Sequence, residues 1–379
     1  MRTILPEFLR DRIGGRVKLA QMLALARDPA GADKMLSETI AFGERSPAAR
    51  SRMAREALAN AYRAAGDVHF RTGAFERAVQ PYTKLLELWT EMAAERHDVA
   101  AERTGLSLAH AKVADSLVRT RHAKEALPHV RMALEIDQQL VSADRNSVPR
   151  LRKLYIDFTL LSLVFRTDPA LAGPAEARGA AEKAAEIAEG MAAADPNNST
   201  ALFDLMTAQT LVGDWFRGNN DSKPAVPHYR RAVEVIEKFA STSPAAQLTD
   251  DALVFAHQRL ASGLGRSGEL DEALANCTKA EEDLARAEKR NPGLEQTLSR
   301  RFDVVTTRAE AYAKSRRWKE SIAGYEESLR LLAELRRRDA KSETYLNDQV
   351  DNGMQLADAY AAAGDRPSAR TSMEKAMGR

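Results

Sequence analysis

Residues 211–232 read LVGDWFRGNNDSKPAVPHYRRA, and this stretch decides the fold. Each end has the apolar spacing of a helix, and polar residues that favour a turn lie between the two ends. Gly213 lies twelve residues before Ala225, and Tyr229 lies four residues after it. Because a small residue on one helix leaves room for a large side chain on the next, the stretch predicts two closely packed helices that run in opposite directions.

The same arrangement recurs along the chain at a nearly fixed interval. An alanine or serine anchors each unit, and the steps between successive anchors are 48, 51, 48, 48, 48 and 48 residues. A small residue precedes the anchor by twelve residues in six of the seven units, with Phe165 as the exception. The periodicity predicts a repeat array in which each helix pair buries its apolar face against its neighbours. The anchors are Ala78, Ala126, Ala177, Ala225, Ala273, Ser321 and Ala369, and the small residues are Gly66, Ala114, Gly213, Ala261, Ala309 and Ala357.

The turn between the two helices of a unit lies five residues before the anchor. Three units have glycine there, which is suited to the left-handed backbone conformation that ends a helix. Three other units have a larger residue, and we expect their turns to be less strained or differently built. The glycines are Gly73, Gly268 and Gly364, and the larger residues are Arg121, Asn220 and Arg316.

A second landmark in the loops between units keeps the same period. Asp, Asn or Ser recurs there at steps of 51, 48, 48 and 48 residues, with the same three-residue insertion between the second and third units. These residue types end one helix and begin the next because their short polar side chains bond to local backbone amides. The residues are Asp144, Asp195, Ser243, Asn291 and Asp339.

The pattern of small residue, aromatic, glycine turn, alanine, tyrosine and terminal Asp-Pro resembles the tetratricopeptide repeat over about residues 50–379. The resemblance implies an all-α solenoid, a right-handed superhelix of antiparallel helix pairs. The unit of 48 residues is longer than the family's usual 34, so we expect about 20 residues in each helix. Residues 51–379 then form about seven pairs, and residues 1–50 form a divergent capping pair with helices at Leu5 to Arg27 and Ala30 to Arg45.

The long units also look like the repeat regions that follow the catalytic domain in some bacterial serine/threonine protein kinases. The stretches that carry this resemblance are Ala65-Gly66-Asp67-Val68 and residues 192–196. The chain itself has no His-Arg-Asp catalytic loop and no Asp-Phe-Gly motif.

Composition limits the classes of partner and compartment. Lys plus Arg is 56 and Asp plus Glu is 54, a balance that argues against nucleic acid as the main partner. No apolar run is long enough for a signal peptide or a membrane span. We therefore expect a cytoplasmic protein with no membrane contact through this chain, unless the chain was cut from a longer polypeptide. The single cysteine, Cys277, excludes an internal disulfide and fits a reducing compartment.

The motifs that suggest chemistry have structural interpretations. Residues 263–268, GLGRSG, match the dinucleotide fingerprint, but a helix rather than a strand precedes them, and Gly268 is a turn glycine. The seven histidines include no metal-binding pair at i and i+4, and His69 occupies a core aromatic slot. Cys277 lies where other units have tyrosine, which indicates a buried side chain that packs in the core. The sequence predicts no cofactor, no metal and no catalytic residue.

The candidate ligand-binding residues follow from the slots that face the concave groove in the repeat family. Acidic residues lie eleven residues before the anchors, and basic residues lie two residues after the aromatic slot. An acidic ladder flanked by cations could hold an extended, mixed-charge or basic peptide, although such residues are also common in the repeat without a ligand. The acids are Asp67, Asp115, Asp214, Glu310 and Asp358, the cations are Arg71, Arg119, Arg266 and Lys314, and Arg63 and Gln258 complete the set.

Some members of the repeat family hold a partner's C-terminal carboxylate at fixed groove positions. The equivalent positions in the first unit are Arg63 and Asp67. Because the Asp67 carboxylate would repel a ligand carboxylate, this type of clamp is disfavoured here.

These observations predict a non-catalytic scaffold or regulatory module that binds a protein or peptide. Two alternatives remain: the sensory or docking tail of a bacterial serine/threonine kinase, and a small-molecule sensor of a signalling or transcription system. The last layer lacks a complete second helix from Pro367 onward. It therefore predicts a frayed end, a shortened chain or a surface that forms a homodimer.

Overall fold

The computed structural model describes residues 5–95, 99–219, 221–242, 247–290, 292–293, 295–340 and 342–377. His97, Asn220, Ser243 and Asn291, which took part in the sequence patterns, lie outside the described residues. All regular secondary structure in these ranges is helical, with sixteen α-helices and one short 3₁₀ helix. None of the helices in the described part of the chain has the length and apolarity needed to cross a membrane.

The chain divides into two compact units, Met1–Ile187 and Ala188–Arg379. α8 begins in the first unit and ends in the second. The first unit contains α1 (Pro6–Leu25), α2 (Pro29–Glu44), α3 (Arg52–Arg71), α4 (Phe75–Glu95), α5 (Ala100–Arg119), α6 (Ala123–Ala143), α7 (Val148–Thr167), the 3₁₀ helix (Pro169–Leu171) and most of α8 (Pro174–Ala194). The second continues with α9 (Ser199–Gly218), α10 (Ser222–Thr242), α11 (Gln247–Ser267), α12 (Leu270–Arg290), α13 (Glu295–Lys314), α14 (Trp318–Arg338), α15 (Glu343–Ala362) and α16 (Arg366–Ala376).

Helices α3, α5, α9, α11, α13 and α15 each pack against the helix that follows, and successive pairs pack against each other within each unit. In the remaining pair, Ala180 of α8 shares a core cluster with Val164 of α7. The chain is thus an all-α solenoid of the tetratricopeptide type. Helices α3 to α15 have 20 or 21 residues, which confirms the predicted length, while α16 has 11 residues. Helices α1 and α2 contact each other and α3. That they form a cap separate from the repeat array stays a prediction.

The small and large residues of the repeat meet as predicted in the pairs α3–α4 and α9–α10. A Cβ atom added to Gly66 would lie 2.3 Å from Cε1 of Tyr82, and one added to Gly213 would lie 2.6 Å from Cε1 of Tyr229. Neither distance is compatible with a real side chain, so glycine is required for this approach. Tyr82 and Tyr229 are both fully buried.

The prediction that Phe165 breaks the pattern is wrong, because the three-residue insertion lies in a turn. The chain between α7 and α8 contains the 3₁₀ helix Pro169–Leu171, which other turns lack among the described residues. Alignment on the anchor alanine therefore shifted α7 by three positions. In the corrected register Ser162 occupies the small slot and Phe165 occupies the aromatic slot, and both are buried.

The expectation that turns without glycine are less strained or differently built is wrong for Arg121 and Arg316, while Asn220 lies outside the described residues. Arg121 and Arg316 have φ angles of 62° and 58°, close to the φ of 76° at Gly73. Gly268 and Gly364 have φ angles of 94° and 88°, as predicted. The two arginines therefore adopt the left-handed conformation at the cost of backbone strain, because a Cβ atom disfavours it.

The loop aspartates end helices as their spacing indicates. Asp144 and Asp339 are the C-terminal caps of α6 and α14. Asp195 directly follows α8, and its Oδ1 accepts a hydrogen bond from the backbone amide of Asn197 at 3.3 Å. These residues terminate the second helix of a pair and redirect the chain into the next layer.

Candidate functional site

All eleven candidate residues lie on the first helix of a pair. In the first unit they lie on α3 and α5, and in the second on α9, α11, α13 and α15. In the second unit α11 contacts both α9 and α13, so the first helices are neighbours. We call the surface that these helices form in each unit its first-helix face.

Asp67 is the centre of a bonded group in the first unit. The hydroxyl of Tyr82 on α4 donates a hydrogen bond to Asp67 Oδ1 at 2.7 Å, and Lys112 Nζ on α5 donates to the same oxygen at 2.8 Å. Arg63 contributes an ion pair, with its Nη1 atom 3.7 Å from Asp67 Oδ2. Burial and the neighbouring carboxylate raise the pKa of Tyr82, so its hydroxyl remains a donor.

Asp214 repeats this arrangement in the second unit. Its Oδ1 accepts a hydrogen bond from the Tyr229 hydroxyl at 2.8 Å. Arg217 Nη2 and Arg259 Nε lie 3.5 Å and 3.7 Å from the same oxygen. The carboxylate is buried, with Asp214 only 6% exposed. Burial first, and then Asp214, raises the pKa of Tyr229.

The two groups form one recurring Asp-Tyr-cation triad. In both, the tyrosine follows the aspartate by 15 residues and the cation follows it by 45, which places the cation on the next first helix. The triad therefore links both helices of one pair to the following pair. Sequence reasoning placed Asp67 and Asp214 correctly on the first helices but missed Lys112 and Arg259, although their common 45-residue spacing was available as a signal.

The other three acids lie in different surroundings. Asp115 accepts a hydrogen bond from Arg119 Nε at 2.9 Å, and burial, opposed by Arg119, raises its pKa. Burial also raises the pKa of Glu310, against the opposing effect of Arg266 and Lys314. Asp358 is exposed on α15. The five acids therefore do not form a uniform ladder.

Four of the five cations in the candidate set, all except Arg63, form a more consistent group, which we call the cationic row. Arg71, Arg119, Arg266 and Lys314 are all exposed and lie in the last turn of their helices. Burial, together with the positive charge of Arg266, lowers the pKa of Lys314, and the carboxylate of Glu310 opposes this shift. Arg266 and Lys314 are thus electrostatic neighbours.

The cationic row of the first unit lies beside aromatic rings. The Arg119 guanidinium carbon lies 4.9 Å from the centre of the Phe70 ring and 5.3 Å from that of Phe75. The two rings contact edge to face with their centres 5.0 Å apart. Such stacking fixes the guanidinium plane while its outer N–H groups stay available to a ligand.

A pocket of about 460 Å³ opens next to these rings. Phe70 and Leu25 supply apolar surface, while Arg71 and Lys112 supply positive charge. Arg71 Nε also donates to the backbone carbonyl of Asp67 at 3.3 Å. Asp67 of α3 and two residues of α1, Gln21 and Leu25, complete the lining of the pocket. Sequence reasoning missed the pocket because α1 lies outside the repeat pattern.

Gln258 joins two first helices of the second unit. Its Nε2 atom donates a hydrogen bond to the Thr307 hydroxyl at 2.8 Å. Near it, the guanidinium carbons of Arg259 and Arg300 lie 5.0 Å and 4.7 Å from the centre of the Phe255 ring. Burial and the charge of Arg259 lower the pKa of Arg300, with Asp303 and Asp251 acting in the opposite direction.

The alternative motifs have the structural roles that the sequence indicated. Residues 263–268 form the end of α11 and the turn at Gly268. His69 is buried, with its Nε2 atom 3.2 Å from Asp33 Oδ1. Cys277 is fully buried, and burial raises the pKa of its thiol to about 12. A thiol with that pKa is a poor nucleophile near neutral pH.

Comparison with known proteins identifies the fold. No protein-family model matches the sequence, and no functionally curated protein matches it significantly. The apo quorum sensor NprR from B. thuringiensis is similar in structure, with a TM-score of 0.57 and 12% identity over 96% of this chain and 86% of that chain. A Rap protein complexed with Competence and Sporulation Factor has a TM-score of 0.54 and 14% identity, over 97% of each chain.

Aspartyl phosphate phosphatase F from Bacillus subtilis is a further structural neighbour. It has a TM-score of 0.55 and 12% identity over 97% of this chain and 93% of that chain. All three are helical repeat structures of the tetratricopeptide type. At these identities the likeness concerns the fold.

Proposed function

We propose that the chain is a non-catalytic scaffold or regulatory module that binds an extended polypeptide on its first-helix faces. The observation that carries the proposal is the exposed cationic row beside the aromatic pocket of the first unit. An open face with apolar floor and outward-facing charge suits a chain that lies across several helices, because each helix contributes one contact.

The accessible charge favours a ligand with acidic side chains. Asp67 and Asp214 already accept hydrogen bonds from tyrosines and ion pairs from neighbouring cations. Arg71 and Arg119 are exposed in the same unit as the pocket, and each bonds within the chain through its Nε atom, to the Asp67 carbonyl and to Asp115. A glutamate of the ligand could lay its methylene groups on Phe70 and its carboxylate against Arg71.

The structural neighbours support a regulatory role for this fold. One is named a quorum sensor, and another was solved in complex with Competence and Sporulation Factor. Because one neighbour is named a phosphatase, the fold alone does not decide catalysis. We base the non-catalytic proposal on the candidate residues, which form ion pairs and stacking contacts rather than an activated nucleophile with its base.

Peptides of defined charge test the proposal. Fluorescein-labelled peptides of about ten residues that alternate Glu with Leu, Lys with Leu, or Gln with Leu are titrated by fluorescence anisotropy at low and high salt. We expect the Glu-Leu peptide to bind most tightly and to weaken as salt rises. The double variant Arg71→Gln/Arg119→Gln should weaken its binding by at least about tenfold, and Arg266→Gln/Lys314→Gln by less, because Glu310 partly neutralises that pair.

Lys34→Gln/Lys124→Gln is the matched control, since it removes the same charge from exposed positions on α2 and α6. Its affinity should stay within about twofold of the parent chain. Preferential binding of the Lys-Leu peptide, or equal losses in the control and the Arg71/Arg119 variant, would contradict the acidic-ligand proposal.

One observation favours a second candidate function, that of a small-molecule sensor. A cavity of about 830 Å³ lies among α14, α15 and α16, where the short α16 leaves part of the neighbouring surface uncovered. This volume falls within the range of ligand pockets. A small molecule that copurifies with the chain and is lost from a Leu356→Arg variant, altered in the cavity wall, would support it. The kinase-tail role, a homodimer through the last layer and a cytoplasmic location stay predictions.

A further inference from the structure

Helix α1 exposes an unusual amount of apolar surface. Leu5 at its N-cap and Phe8, Leu19, Met22 and Leu25 on the helix are 60%, 55%, 48%, 64% and 73% exposed. These are five of the twelve large hydrophobic residues that are exposed in the described part of the chain. Apolar side chains concentrated on one helix in this way mark an interaction surface.

The exposed residues form a stripe that is separate from the buried face of α1. Positions 5, 8, 12, 15, 19 and 22 follow the spacing of three and four residues that defines one side of a helix. The opposite side packs into the core through Leu9, Ile13, Val17 and Ala20. Helix α1 is therefore apolar on two sides, and among the described residues only one of these sides is packed against the rest of the chain.

The stripe is symmetric about Gly15. Leu5 and Leu25 lie ten residues on either side of Gly15, and Phe8 and Met22 lie seven residues on either side. Two copies of α1 that cross antiparallel at Gly15 would place Phe8 of each copy against Met22 of the other. A two-fold axis requires this kind of self-complementary surface.

The crossing point itself has room for a second helix. A Cβ atom added to Gly15 would have no heavy atom within 4 Å, so the backbone is open to solvent there. Arg12, the one cation inside the stripe, has its guanidinium carbon 4.3 Å from the centre of the Phe42 ring on α2. Its charge is thus drawn away from the stripe.

Area and charge both fit a second copy. The exposed fractions of the five apolar residues correspond to about 500 Å² per copy, or about 1,000 Å² for two, which reaches the lower limit for a specific interface. In the antiparallel arrangement Asp11 of one copy lies beside Lys18 of the other. Asp11 is 68% exposed and pairs within the chain with the adjacent Arg10 at 2.8 Å, which is itself 48% exposed, so Lys18 of the second copy would join a surface ion pair.

We propose that α1 forms a symmetric antiparallel homodimer through the stripe centred on Gly15. The proposal does not depend on which ligand the first-helix face binds, although the stripe shares Leu25 with the pocket beside Phe70. It also differs from self-association through the last layer, because the two surfaces lie in different units of the chain.

Charge exchange across the axis provides the test. The full chain is measured by sedimentation equilibrium over a dilution series, together with Phe8→Glu, Met22→Lys and the double variant Phe8→Glu/Met22→Lys. We expect a dimer for the parent chain, and each single variant should raise the dimer dissociation constant by at least about tenfold. The double variant should recover dimerisation in a salt-sensitive manner, because position 8 of each copy then meets the opposite charge at position 22 of the other.

Two adjacent glycines provide a matched control. Gly14 and Gly15 both lie in α1 with no heavy atom within 4 Å of an added Cβ, but only Gly15 lies on the stripe. Gly15→Gln should weaken the dimer, whereas Gly14→Gln should leave it unchanged, with equal helix content by circular dichroism. A monomer at every concentration would overturn the proposal and leave the stripe to another partner. A dimer that is insensitive to both single variants would overturn it by placing the interface elsewhere.

Discussion

Three arginines hold a backbone conformation that side chains avoid. Arg27, Arg121 and Arg316 have φ angles of 64°, 62° and 58°. The left-handed conformation costs a residue with a Cβ atom about 1–2 kcal/mol relative to glycine. Arg121 and Arg316 follow helices that end in the same way as those before Gly73 and Gly268, so the turn geometry is imposed by the packing of the pair and not by the residue in the turn.

Replacing these arginines with glycine should therefore stabilise the protein. We expect Arg121→Gly and Arg316→Gly each to raise the free energy of unfolding by about 0.5–1 kcal/mol, since relief of strain exceeds the added entropy of the unfolded chain. Urea denaturation measures the change.

Two further substitutions separate strain from side-chain effects. Arg121→Ala removes the guanidinium but keeps a Cβ atom, so it should change stability little. Gly268→Ala introduces the strain without a clash, because no heavy atom lies within 4 Å of the added Cβ, and should destabilise by about 1 kcal/mol. If Arg121→Ala stabilises as much as Arg121→Gly, the backbone explanation is wrong.

At the scale of the element, polar side chains join the two helices of a pair at one recurring position. Nδ1 of His110 on α5 lies 2.9 Å from Nδ1 of His129 on α6. The same slots hold Gln209 with His228 in the fourth pair and His257 with Asn276 in the fifth, all separated by 19 residues. In the Gln209–His228 and His257–Asn276 contacts the histidine Nδ1 donates to an amide oxygen, which a protonated ring can also do. The His110–His129 contact joins two ring nitrogens, so one of the two rings must be neutral to accept the hydrogen bond.

The His110–His129 pair should make stability depend on pH. Burial, followed by the charge of His129, lowers the pKa of His110 to about 4. Between this value and the ordinary histidine value of about 6.5, the unfolded chain binds more protons than the folded one. The contribution of this pair to stability is therefore present above about pH 6.5 and is lost as the pH falls toward 4.

The chain itself suggests the control variant. His110→Gln reproduces the Gln209–His228 pair and should keep the hydrogen bond while it reduces the loss of stability in acid. Denaturation midpoints of both proteins are measured between about pH 8 and pH 5. The difference between the two pH profiles cancels the contributions of other titrating groups, such as Asp283, because both proteins contain them. Parallel pH profiles would show that the histidine pair does not titrate on unfolding.

Other features of the elements differ in how far the sequence predicts them. Gly213 and Tyr229 predict their own contact, because both lie within one unit at a fixed spacing. Phe165 was misassigned because an insertion inside a turn cannot be distinguished from one inside a helix by spacing alone. Lys112 was missed because its contact with Asp67 joins two successive pairs, and a pattern confined to one unit does not contain it.

At the scale of the whole molecule, stability should be distributed locally along the repeats. The helices pack mainly on their neighbours in sequence, and within the second unit α11 also contacts the first helices on either side, α9 and α13. In such an array the effect of a lost contact decreases with the number of intervening repeats.

Hydrogen exchange can measure this locality within the second unit. Leu332 on α14 is fully buried and packs with Phe302 and Leu335. We expect Leu332→Ala to destabilise its surroundings by about 2–5 kcal/mol and to lower amide protection in α13–α15 more than in α9 and α10. Equal loss of protection throughout the unit would indicate one cooperative block.

The candidate site shows the same limit of sequence reasoning at this larger scale. The slots placed all eleven candidate residues on first helices, where the structure has them. The pocket of the first unit depends in addition on Gln21 and Leu25 of α1, a helix that follows no repeat period. Its lining could not be read from the repeat, because the packing of α1 on α3 creates it.

The strained arginines also have a genetic consequence. Every arginine codon becomes a glycine codon through one nucleotide change at its first position. Arg27, Arg121 and Arg316 are therefore each a single mutation away from a relaxed turn. A lineage under selection for heat tolerance would have three independent and immediately accessible routes to a more stable protein.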